Sequence, residues 1–519
     1  MNAMKIRKLL SLFAPILLCL CGLFFNFFHF WHGFDAISGD TGDTRFNTLV
    51  LEHTWLWITK IHTSLFDSPI FFPHLNAYAY SDYLFSSAPI YWLARTLSFD
   101  PLLSFQSWMI ISCLLNYAAF FALARKSFRF SIFVSAIGAY VFSFALPRMT
   151  HLEHAQLIPQ YFIVVSAMGA MQWFQNPRSR LAPFLFFGFA VLQFLNAFYF
   201  FWFWIWSLSM IALFIATKRG RRESFKIWFK QTNPQATLVA MGASFAASGP
   251  FLYHYILASR ELGSRSWVVI SEMVPRAYSW LSLPKDHWEW FAVPMKDWIN
   301  ALPMGHEHYL SFGLLSWLTM FAALFYQWRM KTWRILAIPT LAMFAFTLTS
   351  GRFSTWVFIS YLFPGGGVIR AVSRIQIFML LFWSLLMMGY LRYLFSNSKK
   401  SKWLAIGIII AFFAENTYIS NWSFSRLNEN QRMQTLAAQL APDCEVIVHS
   451  KALAPHEDLK NNDAVWIAYL THRSTINGYS GNQPSAYREI LELNASTTEK
   501  LAHWFSVHPI QTKKVCIYD

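Results

Sequence analysis

The residues whose types could do chemistry gather in a few short segments. Ser38-Gly39-Asp40-Thr41-Gly42-Asp43-Thr44-Arg45-Phe46-Asn47 runs on to Leu51-Glu52-His53, and places Asp40 and Asp43 three residues apart on a glycine-rich turn. Such a pair can supply a general base and its neighbour. The plainer reading is a solvated turn whose acids cap a helix. Asp82 follows in Ser81 to Tyr91, and His151, His154 and Gln156 in Pro147 to Gln156. Two histidines at that spacing are weak evidence for a metal ion without further ligands. Arginines stand in two further groups, Arg260, Arg265 and Arg276, then Arg370 and Arg374. The last two enter a helix after Pro364-Gly365-Gly366-Gly367, so both guanidinium groups can converge on an anion. The glycine run lacks the Gly-Lys-Ser/Thr ending of a P-loop. Snorkelling to lipid headgroups is the plainer reading of these arginines.

Positioning these residues falls to a chain built for lipid. Of 519 residues, 55% are hydrophobic, 19% aromatic and only 13% charged, too little charge to solvate a soluble protein of this size. Apolar stretches reach the roughly 20 residues that cross a bilayer as helix. Leu9 to Trp31 comes first and continues past any small-residue cleavage site, so it reads as a membrane helix and not a signal peptide. Five pairs follow: Phe105 to Arg125 with Phe130 to Leu146, Ile158 to Phe174 with Leu181 to Asn196, Tyr199 to Thr217 with Ala236 to Leu257, Leu310 to Trp328 with Ile335 to Ser350, and Ile375 to Phe395 with Trp403 to Ser420. The expected fold class is therefore an α-helical polytopic membrane protein with about eleven transmembrane helices and a small α/β domain at the C-terminus.

The net charge of +16 comes from 42 Lys and Arg against 26 Asp and Glu. In a soluble protein it would point to nucleic acid; here the basic residues cluster in short loops, at Arg125 to Arg129, Arg178 and Arg180, Lys218 to Lys230, Arg329 to Arg334 and Lys399 to Lys402. The positive-inside rule makes those loops cytoplasmic and leaves nucleic acid out of the expected partners. With an odd number of helices the N-terminus is inside and everything after Ser420 is outside. Long outer loops then span 32–104, 259–309 and 351–374, with domains expected at 1–420 and 421–519. Within the first loop, Phe46 to Ile61 reads as a helix lying along the membrane interface. In the tail, Asn428 to Leu440 reads as a polar helix, and Cys444 to His449, Ala464 to Leu470 and Val515 to Tyr518 read as strands. Cys19, Cys21 and Cys113 lie in apolar helix. Cys444 and Cys516 fall in the exported tail, where an oxidising compartment can join them.

In order and sidedness these features resemble bacterial GT-C-type membrane glycosyltransferases that use polyprenyl-phosphate sugars, together with multi-pass membrane proteins of the YfhO-like kind. The carrying residues are Gly42-Asp43 to Leu51-Glu52-His53 after the first helix, Ser81 to Pro89, His151 to Leu157, Arg265 with Glu272, Arg370 with Arg374, and Asn477 to Gly481. The resemblance implies transfer of a sugar from a polyprenyl-phosphate carrier to a glycan, lipid or protein acceptor on the outer face of the bacterial inner membrane, with inversion. It implies that Asp43, or else Asp40, acts as base, and that Arg370, Arg374 and Arg265 hold the donor phosphate. Asp82, His151, His154, Gln156, Glu272, Glu52 and His53 would line the substrate pocket. Some branches of the family use a divalent metal, and the sequence leaves metal use open. The competing readings are a transporter or flippase of a lipid-linked saccharide and a non-catalytic receptor. A transporter would place polar groups at the midplane of broken helices and often shows internal repeats; neither is present in the sequence.

Overall fold

The computed structural model describes residues 3–27, 33–292, 295–330, 333–350, 353–417, 422–453, 457–508 and 514–518. A helix stands at each of the eleven expected positions: Ala3–Phe27, Pro101–Ala122, Ile132–Phe144, Tyr161–Gln175, Leu181–Asn196, Phe198–Ala216, Pro234–Leu262, Leu314–Arg329, Arg334–Thr347, Ile375–Ser396 and Lys399–Asn416. Counted with the short turns that continue them, six are long and apolar enough to cross a membrane: Pro101–Ser127, Ile132–Met149, Ala155–Gln175, Phe198–Ala216, Pro234–Leu262 and Val372–Ser396. Phe13–Phe27, Leu181–Asn196 and Arg334–Thr347 are apolar but shorter. The helix Ile375–Ser396 is buried along nearly its whole length and packs against the helices Phe198–Ala216, Ile132–Phe144, Leu314–Arg329, Arg334–Thr347 and Lys399–Asn416. It is the axis of the bundle, and its N-terminal end carries Arg374.

The loop expected to lie on the membrane interface does something else. Its helix begins earlier, at Asp43, and runs to Ile58 with most of its side chains buried. The amphipathic spacing fits a lipid surface, but the helix is buried against protein, including the C-terminal region. Arg45, fully buried, pairs with Glu429 (3.1 Å) and Asp463 (2.7 Å) of that region, and lies over the Trp466 ring. The turn entering the helix depends on Gly39, whose φ of +107° is outside the range of ordinary side chains, and whose Cβ position would sit 3.1 Å from the Glu153 backbone.

The C-terminal region is α/β. Val446–His449 is the centre of a three-stranded parallel sheet between Ser474–Thr475 and Val515–Tyr518. The expected strand at Ala464 to Leu470 is instead part of the helix Asp458–Thr471. That helix is buried on almost every side, and a continuous apolar run does not distinguish a buried helix from a buried strand. It serves as the crossover that two parallel neighbours require. A second clip pairs Ala36–Ser38 antiparallel with Ser423–Ser425, joining the first outer loop to the start of this region. Cys444 and Cys516 are joined in a disulfide, with Cα atoms 5.7 Å apart.

Candidate active site

Segments far apart in sequence meet where the helix Asp43–Ile58, the N-terminal end of Ile375–Ser396 and the C-terminal region converge. Asp43 opens its helix. Its Oδ2 lies 2.7 Å from His154 Nδ1, and its Oδ1 accepts a hydrogen bond from the Tyr479 hydroxyl at 2.7 Å. Asn462 Nδ2 donates to the Gly42 carbonyl at 2.6 Å, fixing the turn just ahead of it. Burial pushes the Asp43 carboxyl up, but the hydrogen bond and charge of His154, the Tyr479 hydroxyl and the Arg374 charge outweigh it and hold the group well below the usual carboxylate range.

His154 continues the chain of contacts. Arg374 Nη2 sits 2.9 Å from His154 Nε2. A guanidinium can only donate, so Nε2 accepts and the ring hydrogen belongs on Nδ1, facing Asp43. Burial and the Arg374 charge disfavour a second proton; the Asp43 hydrogen bond and the Glu153 and Asp43 charges outweigh them, leaving His154 above the ordinary imidazole value. That proton would set an N–H against Arg374, with Glu307 Oε1 at 3.6 Å and Glu153 Oε1 at 3.9 Å as the acceptors on offer. Arg374 itself is buried and bound to Glu307, Nη2 to Oε1 at 2.6 Å, while the Ser373 hydroxyl donates to Glu307 Oε2 at 2.8 Å. Burial raises the Glu307 carboxyl, but Arg374 first and then His154 drive it well below its ordinary value.

Beyond Arg374 the site turns cationic. The hydroxyl of Tyr199 accepts the backbone N–H groups of Arg370 and Ala371 at 3.0 and 3.1 Å. Arg265 donates to the Gly481 carbonyl (2.9 Å) and Asn482 Oδ1 (2.7 Å). Burial lowers its pKa, and the neighbouring guanidiniums of Arg370 and Arg488 lower it further, against Tyr199. Among the described residues no carboxylate pairs with Arg265, Arg370 or Arg488. Asp82 stands at the start of the helix Phe198–Ala216, one residue ahead of Tyr199, its Oδ1 accepting the Phe198 N–H at 2.7 Å. Burial pushes it up to about 6, against the Phe198 hydrogen bond and the Arg374 charge.

The other expected residues are engaged elsewhere. Asp40 Oδ1 accepts the N–H groups of Gly42 (3.1 Å) and Thr44 (3.3 Å), so it caps the helix that carries Asp43. Glu52 is buried under Arg95 (2.9 Å) and the Tyr91 hydroxyl (2.6 Å). His53, fully buried, binds the Leu65 carbonyl and His62; burial takes it down to about 3. His151 bonds to the Pro147 carbonyl at 3.0 Å, and burial lowers it likewise to about 3. Its ring centroid is 6.2 Å from that of His154, across a turn, not along a helix. Glu272 ends a short helix and offers its backbone carbonyl to His308 Nε2 at 2.9 Å. Gln156 Oε1 is buried without a hydrogen-bond partner. Arg370 and Arg374, expected to converge on one anion, differ in their partners: Arg374 is paired with Glu307, whereas Arg370 has no carboxylate partner among the described residues and its charge acts on Arg265. Among the described residues no group of three or more His, Cys, Asp or Glu is arranged to hold a metal ion.

Sequence reasoning missed Glu307, Glu153, Tyr199, Tyr479 and Arg488. Glu307 had a signal, as the one acid of Gly305-His306-Glu307-His308 in an outer loop, and Tyr479 lies inside the Asn477 to Gly481 stretch already singled out.

No protein-family model and no curated protein matches the chain. Among solved structures it is similar to the cryo-EM structure of the arabinofuranosyltransferase AftD from mycobacteria, at 13% identity and a TM-score of 0.48 over 84% of this chain. The chain spans about 29% of that protein's length.

Proposed function

We propose that this chain is a multi-pass membrane glycosyltransferase of GT-C-like architecture that moves a sugar from a polyprenyl-phosphate carrier to an acceptor hydroxyl on the outer face of the bacterial inner membrane. The observation that carries the reading is a site with two chemically different ends. One holds the buried Asp43–His154–Arg374–Glu307 network, and the other the arginines 265, 370 and 488 without carboxylate partners. A carrier phosphate fits the arginine end: as the C1–O bond breaks, negative charge develops on the departing phosphate, and guanidiniums in a partly desolvated site stabilise it. The acceptor belongs at the carboxylate end, where Asp43 takes the proton of the attacking hydroxyl. Attack from the side opposite the phosphate is a single displacement and inverts the anomeric centre. Arg374, bound to Glu307, acts as a fixed positive charge orienting His154 and Asp43, and the donor-phosphate role rests with Arg370 and Arg265.

Asp82 supports a second assignment of the base. Its Oδ2 has no partner among the described residues, and its proton affinity is nearer to neutrality than that of Asp43, which favours efficient proton transfer.

The test is transfer of radiolabelled sugar from polyprenyl-phosphate donors by the purified chain in detergent. Asp43→Asn and Arg370→Gln are each expected to cut transfer by orders of magnitude while leaving the protein folded. A wild type that binds such lipids, consumes none of the donors tried, and moves them across vesicle membranes would replace this reading with the flippase.

A further inference from the structure

A second site lies at the opposite end of the bundle. Between the start of the helix Ile132–Phe144 and the end of Ile375–Ser396 is an open cavity of about 340 Å³, lined by Arg129, Ser131, Phe133, Arg392, Phe395 and Ser396 among others. We propose that this cavity binds the phosphate headgroup of an anionic phospholipid from the leaflet on the basic face of the protein.

The lining divides the work. Arg129 and Arg392 are exposed, and among the described residues neither has an ion-pair or hydrogen-bond partner for its guanidinium. The Ser131 hydroxyl accepts the Val134 N–H at 3.3 Å as a helix cap, which leaves its own hydrogen free to donate. Phe133 and Phe395, with ring centroids 6.3 Å apart, form an apolar wall where each helix turns into its membrane-spanning length, and Phe133 is 41% exposed. A free inorganic anion has no use for that wall; a headgroup with acyl chains does.

The chain segments that flank the cavity carry charge of one sign. Arg125, Lys126 and Arg129 on one side and Arg392, Lys399, Lys400 and Lys402 on the other stand with no acid between residues 123 and 134 or between 388 and 402. Basic recesses between membrane helices on the cytoplasmic side are suited to anionic headgroups, each Lys or Arg near the surface adding to the attraction. The inference does not depend on the reaction at the other face, since none of these residues takes part in it.

The experiment uses the full chain in neutral detergent. Tryptophan fluorescence follows its thermal unfolding during titration with phosphatidylglycerol, phosphatidylcholine or inorganic phosphate. Saturable stabilisation by phosphatidylglycerol alone is expected. Neutralising both arginines (Arg129→Gln with Arg392→Gln) should weaken it on the order of thirty-fold. The charge-keeping pair (Arg129→Lys with Arg392→Lys) should retain most of it, and Lys399→Gln with Lys400→Gln should weaken it far less. Should the glutamine pair not fold, Arg392→Gln alone carries the same comparison. Equal weakening by the two neutralised pairs would reduce the effect to diffuse surface attraction. Unchanged binding in the arginine variants, or equal stabilisation by inorganic phosphate, would equally overturn the proposal.

Discussion

Asp43 and Asp82 pose opposite electrostatic problems, and that makes the proposed base testable by pH. Asp43 is held ionised far into acid by His154, Tyr479 and Arg374, whereas Asp82, pushed up to about 6 by burial, gains its proton close to neutrality. If Asp43 is the base, the pH dependence of kcat/KM has no acid limb near 6, and Asp43→Asn loses about 10²–10⁴-fold in rate. An acid limb at about 6 that disappears in Asp82→Asn, with that loss of rate, would move the role to Asp82. The same network carries a stability signature with two signs. His154, raised above its ordinary value of about 6.5, contributes stability that is complete below pH 6.5 and fades as pH rises through its folded value. Asp43, lowered, contributes above about pH 4 and loses that only in strong acid. The thermal stability of wild type should therefore exceed that of His154→Gln by a constant margin from about pH 5 to 6.5, and the margin should narrow towards pH 9.

At the scale of elements, the helix carrying Asp43 is held by the C-terminal region through a closed ionic group. Arg45 binds Glu429 and Asp463, and Arg432 closes it from the outer side at 2.9 and 2.8 Å. Replacing Arg45 by Met leaves two largely buried carboxylates facing one half-exposed arginine. A loss of about 3–5 kcal/mol is expected when a buried pair is broken from one side, measurable as a shift in the denaturant midpoint. Sequence alone made the eleven helix positions legible, and six of them are runs long and apolar enough to cross a membrane. It also made Asp43, Arg370 and the disulfide partners legible as residues of interest. Contacts made across the chain were not legible. Glu307 reaches Arg374 across 67 residues and Tyr479 reaches Asp43 across 436. The turn sequence carries both a capping and a base reading of Asp40, and the position of its Oδ1 on the Gly42 and Thr44 N–H groups favours the cap. The helix at Ala464 to Leu470 read as strand because burial on nearly all sides erased its period.

The whole molecule is arranged so that the C-terminal region is part of the site, with Tyr479 on Asp43, Arg488 beside Arg265, and the clip of Ala36–Ser38 with Ser423–Ser425 holding it there. The Cys444–Cys516 disulfide closes a span of 72 residues, and removing it by Cys444→Ala with Cys516→Ala should cost about 4 kcal/mol on loop entropy. The proposed transfer from a carrier lipid at an outer face needs the C-terminal region to face away from the cytoplasm, an orientation that suits the disulfide and that the positive-inside rule predicts from the basic loops. Single reporter cysteines decide this in a background from which Cys19, Cys21 and Cys113 have been removed. Leu459→Cys, at a position 54% exposed on the C-terminal region, should react with a membrane-impermeant maleimide in cells whose inner membrane is intact. Lys399→Cys, beside the basic loops, should react only after that membrane is opened. The reverse pattern would put Asp43 and the arginine cluster in the cytoplasm. The site would then face a compartment where nucleotide sugars are at hand, and the argument for a polyprenyl-phosphate donor at an outer face would fail with it.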